Sequence, residues 1–167
     1  WFVFFLCFAL VFLGSGSYHY GPNDDSLVWD RLPMTIAFMG LFSALLGEHL
    51  SDRHEAAVLA AALAIGIGSV ILWKYTNDLR VYLWVQIAPL LVIPYLIAAY
   101  PGRFSHRHYL LYGLGFYGLA LAAQYLDYGI YNATGTAISG HSVKHMIAAV
   151  APLCIYLMLK RRTPLQH

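Results

Sequence analysis

Charged residues are scarce in this sequence. They make up 11% of its 167 residues, whereas soluble domains usually carry about 25%. Hydrophobic residues make up 60% of the chain, and its mean hydropathy is +0.61. A chain of this size cannot bury so much apolar surface in one small core. The composition therefore excludes an ordinary soluble domain and indicates that lipid covers part of the surface.

A large net charge and a cysteine framework are also lacking. The formal net charge is +2 with neutral histidines, which argues against a nucleic-acid partner. The two cysteines, Cys7 and Cys154, lie far apart in separate apolar runs. The sequence thus indicates neither a disulfide framework nor a cysteine-based metal site.

The first residues lack the features of a secretory signal. The chain begins WFVFFLCFALVFL, with no Met, no positive residue before the apolar run and no small-residue cleavage site after it. A signal peptide has both a positive region and such a cleavage site. We interpret the segment as the later part of a membrane helix, in a chain that was processed or whose first residues precede Trp1.

Six apolar runs have membrane-spanning length, for which about 20 residues are needed. They cover Trp1–Tyr18, Leu32–Gly47 with an extension to Leu50, Ala56–Trp73, Val81–Tyr100, Tyr109–Leu126 and Met146–Leu159, the last starting near Gly140. The runs do not alternate as barrel strands do. They predict an all-α, polytopic transmembrane helix bundle with short loops. We expect residues 1–167 to form a single domain, with kinks at Pro89 and Pro94.

The distribution of Arg and Lys predicts the orientation of this bundle. Successive loops must alternate between the two sides of the membrane. One side receives Arg31, Lys74 and Arg80, and the other receives Arg53, Arg103, Arg107, Lys160, Arg161 and Arg162. The positive-inside rule makes the second side cytoplasmic. The C-terminus is then cytoplasmic, and the stretch SGHSVKHM, residues 139–146, enters from the opposite face.

Five polar residues are expected at that opposite face. Ser15 and His19 end the first run, Asp30 opens the second, and His141 and His145 open the last. Residues four apart share one helix face, with Cβ atoms about 5–6 Å apart. Three helices should therefore bring these side chains to the same end of the bundle, whichever side is cytoplasmic.

The residue types favour a metal site. Three neutral imidazoles suit tetrahedral zinc with one open position, and zinc lowers the pKa of a bound water to about 7. Ionisable groups in spanning segments are costly and are functional candidates by default. We therefore predict that His19, His141 and His145 bind Zn²⁺, with Asp30 and Ser15 as catalytic residues beside it.

Each residue alone has a simpler interpretation. A histidine pair at this spacing is more often interfacial than a metal ligand, and Ser15 is more often a packing residue. Asp30 could be the N-cap of a helix that begins at Arg31. Lys144 should extend toward the membrane surface. The interfacial interpretation is preferred for the remaining polar candidates, which are His49, His54, His106, His108 and Asp127.

The whole pattern resembles the alkaline ceramidase family. Ser15-x3-His19 is followed eleven residues later by Asp30 in the context DRLPM, and the chain closes with His141-x3-His145. That family belongs to a superfamily of seven-helix, metal-dependent membrane hydrolases, which also includes the adiponectin/progestin receptors and the GPI-remodelling lipid hydrolases. The resemblance implies that the six runs are the second to seventh helices, with the first before residue 1.

The resemblance also implies a function. It indicates a zinc-dependent intramembrane lipid hydrolase that cleaves the amide of a ceramide-like membrane lipid with a metal-activated water. Lys144 stands where family members often have an aromatic residue, and the acidic calcium-binding segment of the animal enzymes has no counterpart here. The short loops are typical of a bacterial member, which predicts a location in the bacterial inner membrane.

Two other functions are compatible with the same residues. The chain could be a non-catalytic heptahelical subunit or receptor-like protein with a structural metal, bound to other membrane-protein partners. It could also be a membrane scaffold without a metal. The sequence does not distinguish amide from ester substrates.

Overall fold

In the computed structural model, residues 1–49 and 53–165 are described. They form eight α-helices and, within these ranges, no β-strand. The helices are α1 (Phe2–Tyr20), α2 (Asp24–His49), α3 (Glu55–Thr76), α4 (Arg80–Ala99), α5 (His108–Tyr125), α6 (Asp127–Ala133), α7 (Gly140–Ala148) and α8 (Val150–Arg161). The predicted all-α fold is therefore confirmed. The extension of the second run to Leu50 lies outside the described residues.

Five stretches of the described chain are long and apolar enough to cross a membrane. They are α1, α2, α3, α4 and the combined stretch Gly140–Arg161. The protein is thus an integral membrane protein. The predicted fifth run does form a helix, α5, but it is not among the five. Its 18 residues include His108, Gln124 and four tyrosines, whose polar groups lower its hydropathy.

The chain divides into two compact units, residues 1–101 and 102–167. Each unit is described by itself. The first contains α1 to α4, and the second contains α5 to α8. That the whole chain acts as one domain stays a prediction.

Helix α2 is the central helix of the first unit. It packs against α1, α3 and α4. In its apolar 18-residue stretch 56% of the residues are buried, against 22–28% in the corresponding stretches of the other spans. Its innermost side chains, such as Thr35 and Leu45, are almost completely buried. The outer helices instead leave large apolar side chains exposed, as expected where lipid replaces water.

The start of α2 differs from the prediction. The helix begins at Asp24, where Asn23 and Ser26 form a reciprocal cap. The Ser26 N–H donates to Asn23 Oδ1 at 2.8 Å, and the Asn23 N–H donates to Ser26 Oγ at 3.1 Å. Two acidic residues in the first turn suit the positive helix end. Asp30 therefore lies inside the helix, and the interpretation of Asp30 as an N-cap is wrong.

In the second unit, α5 packs against α7 and α8. The predicted start of the last run at Gly140 is confirmed, but the run is divided into two helices at Ala149. Pro152 explains the division, because it has no N–H for the carbonyl of Ala148 and its ring crowds that carbonyl. A short helix, α6, occupies part of the segment predicted as a loop.

Candidate metal centre

His141 and His145 form a close pair on α7. Their Nε2 atoms lie 3.0 Å apart, and their rings are nearly perpendicular, with centroids 4.6 Å apart. Two nitrogen ligands of a tetrahedral zinc with Zn–N bonds of about 2.0–2.1 Å are separated by about 3.3 Å. The two imidazoles therefore already present their Nε2 atoms at nearly the spacing that one metal ion requires.

Gln124 on α5 sets the proton position of His141. The Nδ1 of His141 lies 2.9 Å from Gln124 Oε1. Because a carboxamide oxygen only accepts hydrogen bonds, Nδ1 carries the proton and donates it. The Nε2 of the neutral ring then presents its lone pair toward His145. A metal-binding histidine commonly has its other ring nitrogen held in this way.

The beginning of α7 is held by a side chain at the start of α6 and packs closely against the end of α5. The His141 N–H donates to Asp127 Oδ1 at 2.7 Å, and Ser139 caps the helix by accepting from the Ser142 N–H at 3.1 Å. A Cβ on Gly140 would collide with the Ala123 carbonyl oxygen. This glycine allows α7 to approach α5 closely enough for Gln124 to reach His141.

In the first unit, Gly14 brings α1 against α2 beside the remaining candidates. A Cβ on Gly14 would collide with the carbonyl oxygen of Trp29 and would lie 3.2 Å from Asp30 Cα. Pro33 has no N–H to donate to that carbonyl, which is four residues earlier in α2. The carbonyl left without its helical donor thus faces Gly14, a position of α1 that lacks a side chain.

This close contact places Ser15 and Asp30 on adjoining helices. Ser15 directly follows Gly14, and Asp30 directly follows Trp29, and both side chains are half-buried. His19 lies one turn beyond Ser15, in the last turn of α1, where its ring stacks on the edge of Tyr18 with centroids 5.6 Å apart. His19 is exposed.

The structure thus describes the predicted site in two parts. His141 and His145 meet in the second unit, and Ser15, His19 and Asp30 occupy the α1–α2 region of the first. That His19 joins the histidine pair on one metal ion stays a prediction, and so do the catalytic roles of Asp30 and Ser15.

Three of the histidines interpreted as interfacial contact residues that are near them in the sequence. His49 Nδ1 lies 3.0 Å from the Leu45 carbonyl oxygen, and His106 Nδ1 lies 2.7 Å from Ser105 Oγ. The ring of His108 packs on Tyr109, with centroids 4.9 Å apart. Nothing in these contacts suggests a metal site.

Two residues that support the histidine pair were missed from the sequence. Gln124 is not among the predicted site residues, although it is the only carboxamide within the apolar run Tyr109–Leu126. Asp127 was interpreted as interfacial, but its carboxylate accepts the His141 N–H. A single amide in an otherwise apolar run is the sequence signal that points to Gln124, since an amide at membrane depth needs a partner.

The donor set fits zinc. Imidazole nitrogen is a favoured zinc ligand, and three such ligands leave a position for a reacting group. Comparison with known proteins adds no assignment, because no family model, curated protein or solved structure matches this chain.

Proposed function

We propose that this protein is a zinc-dependent membrane hydrolase that cleaves the amide bond of a ceramide-like lipid. The observation that carries the proposal is the histidine pair, with Nε2 atoms 3.0 Å apart and Nδ1 of His141 held by Gln124. A pair that only faced the membrane surface would not need a half-buried amide to fix its proton.

His19 is the proposed third ligand. It supplies a third imidazole in the last turn of α1, four residues after Ser15. Three neutral imidazoles with an open fourth position are the ligand set of a catalytic rather than a structural zinc. A four-ligand site would instead favour the alternative of a non-catalytic subunit.

Zinc bound by these residues would supply a Lewis acid that makes a water molecule nucleophilic near neutral pH. In the proposed reaction, a C–O bond forms at the acyl carbonyl and the C–N bond breaks. Asp30 takes the proton of the attacking water on a carboxylate oxygen and passes it to the leaving amine. Ser15 Oγ donates a hydrogen bond to the carbonyl oxygen as negative charge develops there.

We propose the same orientation that the basic residues predict. The C-terminus is cytoplasmic, the metal centre lies toward the opposite face, and the membrane is a bacterial inner membrane. The lipid enters sideways from the bilayer, so the chain needs no water-filled channel for its substrate. The exposed apolar side chains of the outer helices are compatible with such lateral entry.

The proposal predicts metal-dependent turnover of a lipid amide. Purified protein in detergent should hydrolyse a fluorescent ceramide, and a zinc chelator should lower the rate by at least about 10²-fold because the nucleophile is lost. Added zinc should restore it. The measurement is the release of fluorescent fatty acid, with a matched fluorescent ester in parallel to distinguish the two substrate classes.

The control is the H108A variant, which removes a histidine outside the proposed ligand set and should keep full, chelator-sensitive activity. Turnover that persists in the presence of chelator would show that the mechanism is wrong. No turnover of either lipid by zinc-loaded protein would favour the non-catalytic alternative.

A further inference from the structure

Arg31 is a charged residue that the proposed hydrolysis does not use. It lies on α2, within a stretch that can span a membrane, and its guanidinium is stacked between two aromatic rings. The Cζ atom is 3.9 Å from the ring centroid of Trp73 and 4.8 Å from that of Tyr82. Both rings are 95% buried, since each is only 5% exposed. They fix the plane and position of the guanidinium.

The guanidinium lies near the ends of the helices that hold it. Trp73 is three residues before the end of α3 at Thr76, and Tyr82 is two residues after the start of α4 at Arg80. Both rings are therefore within one helical turn of the α3–α4 connection. Aromatic residues at helix ends lie at the level of the lipid headgroups, and a long Arg side chain readily extends to that level.

One guanidinium nitrogen has no acceptor. The Nη1 atom of Arg31 is buried and has no hydrogen-bond partner among the residues that the structure describes. A guanidinium carries five N–H donors, and leaving a buried charged donor without an acceptor is costly. The aromatic faces attract the cation but do not provide an oxygen for Nη1.

Two acidic residues in contact with these helix ends already pair with other cations. Lys74 Nζ lies 2.6 Å from Asp25 Oδ1, and Arg80 Nη2 lies 2.6 Å from Asp78 Oδ2. Hydrogen bonds from Arg80 lower the pKa of Asp78 to about 2, so this carboxylate stays ionised and paired. Both carboxylates already have a cation of their own.

We propose that Arg31 binds the phosphate group of a membrane phospholipid. The site lies at the end of the first unit that contains the α3–α4 connection. Phosphate is the anion of the headgroup region, and the flat fork of a guanidinium matches its oxygens. Arg31 as a whole is only half-buried, and the proposal requires the guanidinium to turn so that a phosphate oxygen reaches Nη1. Arg31 is not among the proposed zinc ligands or catalytic residues.

Native mass spectrometry of the purified protein in dodecyl maltoside tests this site. The probes are a short-chain phosphatidylglycerol and a galactosyl diacylglycerol with the same acyl chains but no phosphate. We expect the wild type to retain the phospholipid at least about tenfold more tightly than R31Q does, as for loss of a charge-assisted bond. The galactolipid should bind both proteins equally weakly.

The matched control is R80Q, which removes the same charge at the same helix ends from an arginine already paired with Asp78. Its phospholipid retention should equal that of the wild type. Equal losses in R31Q and R80Q would overturn the proposal, because they would reflect general charge attraction. Equal retention of both lipids by the wild type would also overturn it, and that comparison needs no variant to fold.

A competition experiment distinguishes recognition of the phosphate alone from recognition of the whole lipid. If inorganic phosphate at millimolar concentration displaces phosphatidylglycerol from the wild type, the site recognises phosphate itself; if it does not, the acyl chains contribute to recognition of the lipid. Either result supports phosphate binding at Arg31 once R31Q has lost the lipid. Zinc content should be unchanged in R31Q, so failure here is distinguishable from failure of the proposed hydrolase.

Discussion

Replacing Asp30 with Asn should lower kcat for a lipid amide by about 10²–10⁴-fold, the usual contribution of a general acid–base. Asn cannot take the proton of the attacking water, but it is nearly the same size as Asp. The variant should therefore keep its zinc, its fold and its KM. The measurement is steady-state hydrolysis of fluorescent ceramide, with the zinc content of the same sample.

The matched control for D30N is D24N. Asp24 lies on the same helix but is exposed in its first turn, so its replacement should leave kcat within about twofold of the wild type. If D30N and D24N have the same kcat, Asp30 has no role in proton transfer. If D30N loses both zinc and activity, Asp30 acts in binding the metal rather than in moving a proton.

Replacing Gly14 with Ala should destabilise the first unit by about 1–3 kcal/mol or more, the usual cost of overpacking. The new methyl group would collide with the Trp29 carbonyl oxygen. Backbone on both sides leaves no flexible side chain that can move aside, so α1 and α2 must separate. The thermal unfolding midpoint should fall clearly, and activity should fall with it because Ser15 and Asp30 adjoin this contact.

Gly16→Ala is the matched control on the same helix. No atom lies within 4 Å of a Cβ built on Gly16, and Ala favours a helix over Gly by about 1 kcal/mol. The G16A variant should therefore unfold at the same temperature as the wild type or a higher one. Equal unfolding midpoints for G14A and G16A would show that the α1–α2 contact at Gly14 is not tight.

The helices could be predicted because membrane burial leaves few alternatives. Long uncharged runs must form helices in lipid, where each backbone group needs an internal partner. The starts of α3, α4 and α5 accordingly lie within a residue of the predicted runs. The start of α2 at Asp24 differs from the predicted run because polar and acidic residues precede Leu32, a composition typical of a loop. The reciprocal cap at Asn23 and Ser26 is visible in the sequence once this turn is considered helical.

The division of the last run could not be predicted from hydropathy. Pro152 interrupts the hydrogen-bond pattern without interrupting the apolar run, so composition alone gives one helix. Helix α6 was missed for the opposite reason. Its polar and glycine residues are typical of a loop, and it has only seven residues.

The site could be predicted only in part. The spacing of His141 and His145 placed them on one face of α7, and their rings do meet. Sequence spacing within one helix cannot reveal a partner on another helix, so the contacts of Gln124 and Asp127 with His141 needed the structure. The role of Gly14 was equally hidden, because it depends on a carbonyl that Pro33 leaves without its helical donor.

The proposed function depends on one zinc ion that His19, His141 and His145 bind together. The most direct measurement is the zinc content of the purified protein by inductively coupled plasma mass spectrometry, after growth with added zinc and removal of loosely bound metal. We expect about one zinc per chain for the wild type and for H108A, as for a single three-histidine site. H19A, H141A and H145A should each lose most of the metal. A wild type without zinc, or an H19A variant that keeps its zinc fully, would contradict the proposal.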